Sequence, residues 1–83
     1  MNQMTELESF EELKYRIVRN ESETIYYNSS GQKHRDDDLP AIIWADGTQQ
    51  WYVNDKRHRD NDLPAFIDPD GTQYWYVNGE FVK

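Results

Sequence analysis

Apolar residues follow two different rhythms along this chain. Over residues 1–14, Leu7, Phe10 and Leu13 recur at roughly helical spacing, and Ile17 extends the series. That predicts a short amphipathic helix laid on whatever follows. Thr5 with Glu8, and Ser9 with Glu12, both have capping-box spacing. From residue 15 the pattern becomes that of short strands. "YRIVRNESETIYYN" reads as a hairpin with "NESE" as its turn. "LPAII" and "LPAFI" are short apolar runs, and "TQQWYVN" and "TQYWYVN" are rich in β-branched and aromatic residues. The Asp-Gly pairs 46–47 and 70–71 predict hairpin turns. Asn54-Asp55 and Asn78-Gly79 turn the chain again, because Asn and Gly tolerate positive φ. Pro40 and Pro64 cannot donate to a ladder, so each marks a strand start or an edge.

Alternation assigns faces. Trp51 with Val53, and Trp75 with Val77, should point one way, joined by the rows Leu39, Ala41, Ile43 and Leu63, Ala65, Ile67 as the main core. Tyr52, Tyr74, Tyr76, Ile42 and Phe66 should occupy the other face, which is too apolar to stay wholly bare. The N-terminal helix is the expected cover for part of it.

The strands come in copies. Residues 34–57 laid over 58–81 match at 16 of 24 positions, including "HRDDDLPA" against "HRDNDLPA". A fainter copy lies upstream, with Thr24 under Thr48 and Thr72 and Tyr27 under Trp51 and Trp75. Such a period means stacked supersecondary units with atypical ends. The expected fold is mainly β with a short N-terminal helix: a meandering antiparallel sheet of consecutive hairpins built from about three 24-residue repeats. The chain forms one domain, with a helix over 1–14, a degenerate repeat over 15–33, a repeat over 34–57 and a truncated one over 58–83.

Composition sharpens this picture. The chain has 83 residues, so the core is small and large side chains must fill it. Hydrophobic residues make up only 36% but aromatics 14%, so Trp, Tyr and Phe carry much of the burial. Without Cys there is no disulfide framework, thiolate metal site or cysteine nucleophile, which fits a reducing, cytoplasmic setting. No apolar run approaches a membrane span. Net charge is −7, with acid spread along the whole chain. That disfavours direct binding to nucleic acid or anionic membrane and suits a protein partner with a basic surface, although solubility alone also explains it.

The run "DGTQYWYVNG", with its period of 23–24, resembles MORN-type repeats. The fuller pattern W-Y-x-N-x-x-x-H-R-x-x-x-L-P-A resembles a variant found in uncharacterised proteins of phages and large DNA viruses. The resemblance covers residues 34–83 and extends more weakly over 15–33. It implies stacked antiparallel hairpins, and a host-cell cytoplasmic location if the chain is phage-encoded, but no chemistry. Several glycine positions of standard MORN units hold Arg, Leu or Tyr here, so a lipid-binding role does not carry over.

Candidate sites have competing readings. His34-Arg35 and His58-Arg59 could form a metal or acid–base site with nearby Asp. Duplication favours a repeated loop brace instead, each Arg pairing with the carboxylates just after it: Asp36 and Asp38, or Asp60 and Asp62. "DPDG" hints at a calcium loop, but its counterpart "WADG" lacks the first Asp, so a turn fits better. No nucleophile triad or phosphate loop appears. The sequence therefore points to a non-enzymatic interaction module without cofactor or metal. Its candidate contact residues are Asp36, Asp37, Asp38, Asp60, Asp62, Tyr52, Tyr74 and Tyr76, with His34, Arg35, His58 and Arg59 as braces. The sharpest expectation is a phage-type, anti-CRISPR-like inhibitor occupying a basic groove of a host nucleic-acid-handling or defence complex. The alternatives are a small-ligand or nucleotide binder using the aromatic face, and a structural or self-assembling unit. The C-terminal strand "GEFVK" offers an edge for homodimer formation if the chain is not a monomer.

Overall fold

The computed structural model describes residues 6–83, and the side chains of residues 10–83. Among the described residues a single helix, α1 (Glu6–Lys14), leads into β1 (Arg16–Arg19) and β2 (Glu23–Tyr27), the expected first hairpin. Its turn is fixed by Asn20, whose Oδ1 accepts the backbone N–H groups of Ser22 and Glu23. Next come β3 (Ile42–Trp44), β4 (Gln49–Gln50), β5 (Tyr52–Val53), β6 (Lys56–Arg57), β7 (Phe66–Ile67), β8 (Gln73–Tyr74), β9 (Tyr76–Val77) and β10 (Glu80–Phe81). All pairings are antiparallel. One six-stranded sheet runs β1-β2-β3-β4-β7-β8, and β5-β6 and β9-β10 stand off as two small ribbons. The molecule is mainly β with one short helix, and it is elongated, with extents of 43 × 28 × 19 Å.

The ribbons correct the face assignment. The expected continuous strand "TQQWYVN" breaks at Trp51, and its counterpart breaks at Trp75. Gln50 pairs in the main sheet while Tyr52 pairs in a ribbon, so alternation does not carry across the Trp. Val53 and Val77 are consequently exposed. The buried cluster is Ala41, Ile42 and Tyr52, with Ile25 and Trp44 packed against it. The buried residues therefore come from both expected faces: Ala41, Trp51 and Ala65 from the expected core rows, and Ile42 and Tyr52 from the other. Leu63, assigned to the core row, is also exposed.

The ribbon turns follow their sequence. Asn54 and Asp55 have φ of 49° and 70°, and Asn78 and Gly79 have 51° and 86°. Positive φ at both central residues is what a two-residue hairpin needs to match strand twist.

The helix departs from expectation in its docking. Phe10 is 59% and Leu13 90% exposed, whereas Glu11 and Tyr15 are buried. Ser9 lies inside the helix and not at its start. Thr5 and the side chain of Leu7 fall outside what is described. The helix end is held by charge and an aromatic contact: Glu11 reaches Arg35, and the Tyr15 ring meets Tyr26 edge-on at 5.8 Å.

Candidate functional site

The two "HRDxD" loops build the same brace twice. In each, a His ring nitrogen lies 2.7 Å from the Asp two residues on: His34 Nε2 to Asp36, and His58 Nε2 to Asp60. The other ring nitrogen, Nδ1, accepts a backbone N–H from the next ribbon turn, Asn54 at 3.1 Å and Asn78 at 2.9 Å. Nδ1 therefore carries no proton, and Nε2–H donates to the carboxylate. Both nitrogens are engaged, which leaves neither free for a metal. Among the described residues no group of three or more His, Asp or Glu is placed to hold one.

The arginines do not pair within their own loops, which corrects the expected brace. Arg35 forks onto Glu11 through Nε and Nη2, each at 2.8 Å. Arg59 forks onto Asp38 at 2.8 and 3.2 Å. Each also donates Nη1 to the carbonyl of the following proline, Pro40 or Pro64. Each lies 3.9 Å from an aromatic ring centroid, Arg35 over Tyr26 and Arg59 over Trp51. Lys83 repeats the arrangement more loosely, over Trp75 at 5.0 Å and 3.4 Å from Asp62. The brace thus ties each loop backward to the preceding segment instead of closing it on itself. Its residues recur 24 apart except at two places: the acids Glu11 and Asp38 are 27 apart, and the rings Tyr26 and Trp51 are 25 apart. Tyr26, Trp51 and Trp75 accept equivalent backbone bonds from His34, His58 and Val82, so Tyr26 takes the Trp position that alignment gave to Tyr27.

The candidate contact carboxylates divide accordingly. Asp38 is committed to Arg59, which holds its carboxyl below the usual range. Asp36 is held low mainly by Lys14 at 2.8 Å, and also by His34. Lys14 is raised in turn by the same bond. Asp60 serves His58. Asp37 and Asp62 are exposed, the first without a cation among the described residues. Asp37 and Asp38 have φ of 64° and 58°, and Asn61 and Asp62 have 64° and 55°, so these side chains also earn their place by tolerating a left-handed backbone. A groove of about 300 Å³ runs between the two loops, lined by His34, Arg35, Asp36–Asp38, Trp51, His58, Arg59 and Asp60 among others. Every guanidinium nitrogen there already donates within the chain. That weighs against the groove as a phosphate-binding pocket.

The tyrosines are not one bare surface. Tyr52 is buried, and Tyr74 and Tyr76 are half-buried. Tyr74 packs edge-on against Phe66, and its hydroxyl is held above its usual pKa mainly by the charge of Asp68. Cations pack on the other two: Lys33 and Arg57 on Tyr52, and Arg57 on Tyr76.

At the opposite edge of the sheet lie the hairpin tips, which sequence reasoning treated only as turns. Antiparallel order puts residues 20–22, 45–47 and 68–71 on one edge, and Ala45 N–H bonds to Ser22 across neighbouring tips. Glu21, Glu23, Asp46, Asp68 and Asp70 gather there. Among the described residues none of the five forms an ion pair with a Lys or Arg. Asp46 and Asp70 are held below the usual carboxylate range by the N–H groups of Thr48 and Thr72. A shallow groove of about 140 Å³ opens on this edge, lined by Trp44 with Glu21 and Glu23.

No protein-family model matches this chain, and neither curated proteins nor solved structures include a similar one.

Proposed function

We propose that this chain is a non-enzymatic interaction module that engages a basic surface of a protein partner through its hairpin-tip edge. The observation that carries the reading is the division of charge. Arg35, Arg59, Lys14, Arg19 and Lys83 are paired with carboxylates within the chain, while among the described residues five tip carboxylates stand without a Lys or Arg partner. Trp44 beside Glu21 and Glu23 offers the same chemistry that seats Arg59 on Trp51 against Asp38, an aromatic face with an acid at its rim. A partner's Arg or Lys fits that groove. With the repeat's resemblance to phage proteins, the sharper form is an anti-CRISPR-like inhibitor that fills a phosphate-binding groove of a host complex. Fast association and steep salt dependence follow from such a charge match.

The test is a pull-down from bacterial lysate, washed at low and high salt, with the wild type beside a variant carrying Glu21→Gln, Asp46→Asn and Asp70→Asn. Asn keeps the carbonyl oxygen that accepts the Thr48 or Thr72 N–H, so the turns should survive. A basic protein retained by wild type at low salt and lost by the folded variant supports the reading. Equal retention by both would sink it.

A further inference from the structure

The two outer strands of the main sheet are halves of a joint that the chain already makes twice. β3 lies on β2 with Ile43 opposite Thr24 and Ile42 opposite Ile25. β7 lies on β4 in the same way, with Ile67 opposite Gln49 and Phe66 opposite Gln50. Within their hairpins, Gln73 and Tyr74 of β8 hold the places of Gln49 and Gln50 in β4. Arg19 and Val18 of β1 likewise hold the places of Ile43 and Ile42. Among the described residues, however, neither β8 nor β1 has a strand on its outer side. β10, which sequence suggested as the open edge, pairs with β9 in a ribbon outside this sheet.

The backbone on both outer strands points the right way. Asp68 N–H bonds to the Thr72 carbonyl and Ala65 N–H to that of Tyr74, so alternation turns the Gln73 N–H and C=O outward. Asn20 N–H bonds to the Glu23 carbonyl, which turns those of Arg19 outward. Trp75 N–H is held by the Lys83 carbonyl as Trp51 N–H is held by that of Ala65, so an incoming strand needs to match only Gln73 and Tyr74. We infer that copies of this chain stack head to tail, β8 of one against β1 of the next, with Gln73 opposite Arg19 and Tyr74 opposite Val18 of the next copy. Loop 58–65 joins ribbon β5–β6 to β7, and in the stack α1 of the next copy takes that loop's place before β1. That brings exposed Phe10 and Leu13 beside the last ribbon, where Val77, Phe81 and Val82 are exposed. Their burial adds to a ladder only two residues long. The two surfaces differ, so the joint does not close and the series grows beyond a dimer. The inference does not rest on the function proposed above.

Sedimentation velocity of the 83-residue chain, from micromolar to millimolar, tests it. Mass should rise past the dimer with concentration. Each copy carries −7, so salt should promote stacking, the reverse of the salt-labile partner binding proposed above. Gln73→Pro and Arg19→Pro each remove one outward donor, at edge positions where proline is tolerated. Each folded variant alone should lose the growth, and an equal mixture of the two should stop at a dimer, because one joint remains possible. Amide exchange on the wild type reads the same joint without substitution: Gln73 and Arg19 should become protected as concentration rises. A wild type that stays monomeric at millimolar concentration, or stops at a dimer, overturns the inference. So does a folded variant that still associates alone as wild type does, or growth without protection of both amides.

Discussion

Glu11 and Arg35 are each only 8% exposed as side chains, so their fork sits in poor solvent. Removing one partner strands the other, which typically costs about 3–5 kcal/mol. The Asp38–Arg59 pair has the same geometry, but Asp38 is about half exposed, and solvent reduces such pairs to about 1 kcal/mol or less. Glu11→Ala should therefore lower the urea midpoint far more than Asp38→Ala, and equal losses would show that the two braces are energetically alike. Asp37 makes a gentler case. It sits at φ 64°, where the second copy has Asn61, and Asn tolerates that backbone better than most residues. Asp37→Asn should leave the thermal midpoint unchanged or slightly raised. None of these partners was legible from sequence, because the acid that answers each Arg lies in the preceding segment. Proximity in sequence pointed to Asp36 and Asp38 for Arg35 and to Asp60 and Asp62 for Arg59, but Asp36 and Asp60 serve histidines, Asp38 answers Arg59 and Asp62 lies by Lys83.

At the scale of elements, strand positions and turns were readable, because Asp-Gly and Asn-containing turns impose backbone signs that few other residues accept. Faces were not. Alternation assumes an unbroken strand, and both aromatic strands change partner at their Trp. Trp51 N–H pairs with Ala65 and its indole donates to the carbonyl of Asp38, so the residue acts as a corner between sheet and ribbon. Trp75 repeats the indole bond to Asp62 but is less buried than Trp51. Truncation of a buried Trp costs about 3–5 kcal/mol, and less where water already reaches the ring. Trp51→Ala should thus unfold the domain or nearly so, while Trp75→Ala should leave a cooperative transition at lower denaturant. The reverse order would mean that the C-terminal ribbon, and not the middle of the sheet, anchors the fold. The helix is where its sequence put it, but its docking face was misread for a related reason. Its apolar series predicted a greasy face, yet the side chains at its end that dock are Glu11 and Tyr15, chosen by what Arg35 and Tyr26 offer them.

Across the whole molecule, two electrostatic effects oppose each other. Net charge of −7 is self-repulsive, so acidification relieves a strain that favours the unfolded chain. Against this, Asp36, Asp38, Asp46 and Asp70 all have folded-state pKa values lowered by contacts with Lys14, Arg59, Thr48 and Thr72. A lowered carboxylate contributes stability that is complete above its unfolded pKa, about 3.9 for Asp, and lost as pH falls through the folded value. The repulsive term is long-range and screened within about 10 Å at 0.1 M salt, whereas the contacts are local and tie helix, loops and turns together. The local term should win once Asp begins to protonate. Thermal midpoint at neutral pH should therefore rise with added salt, stay level or rise gently as pH falls towards 5, and drop below about pH 4. Replacing Asp38 with Asn should flatten that acid limb, because one of the groups that protonates is gone while Arg59 keeps its place on Trp51. A midpoint that keeps rising to pH 2.5 would mean that repulsion dominates and that these hydrogen bonds hold geometry without adding net stability.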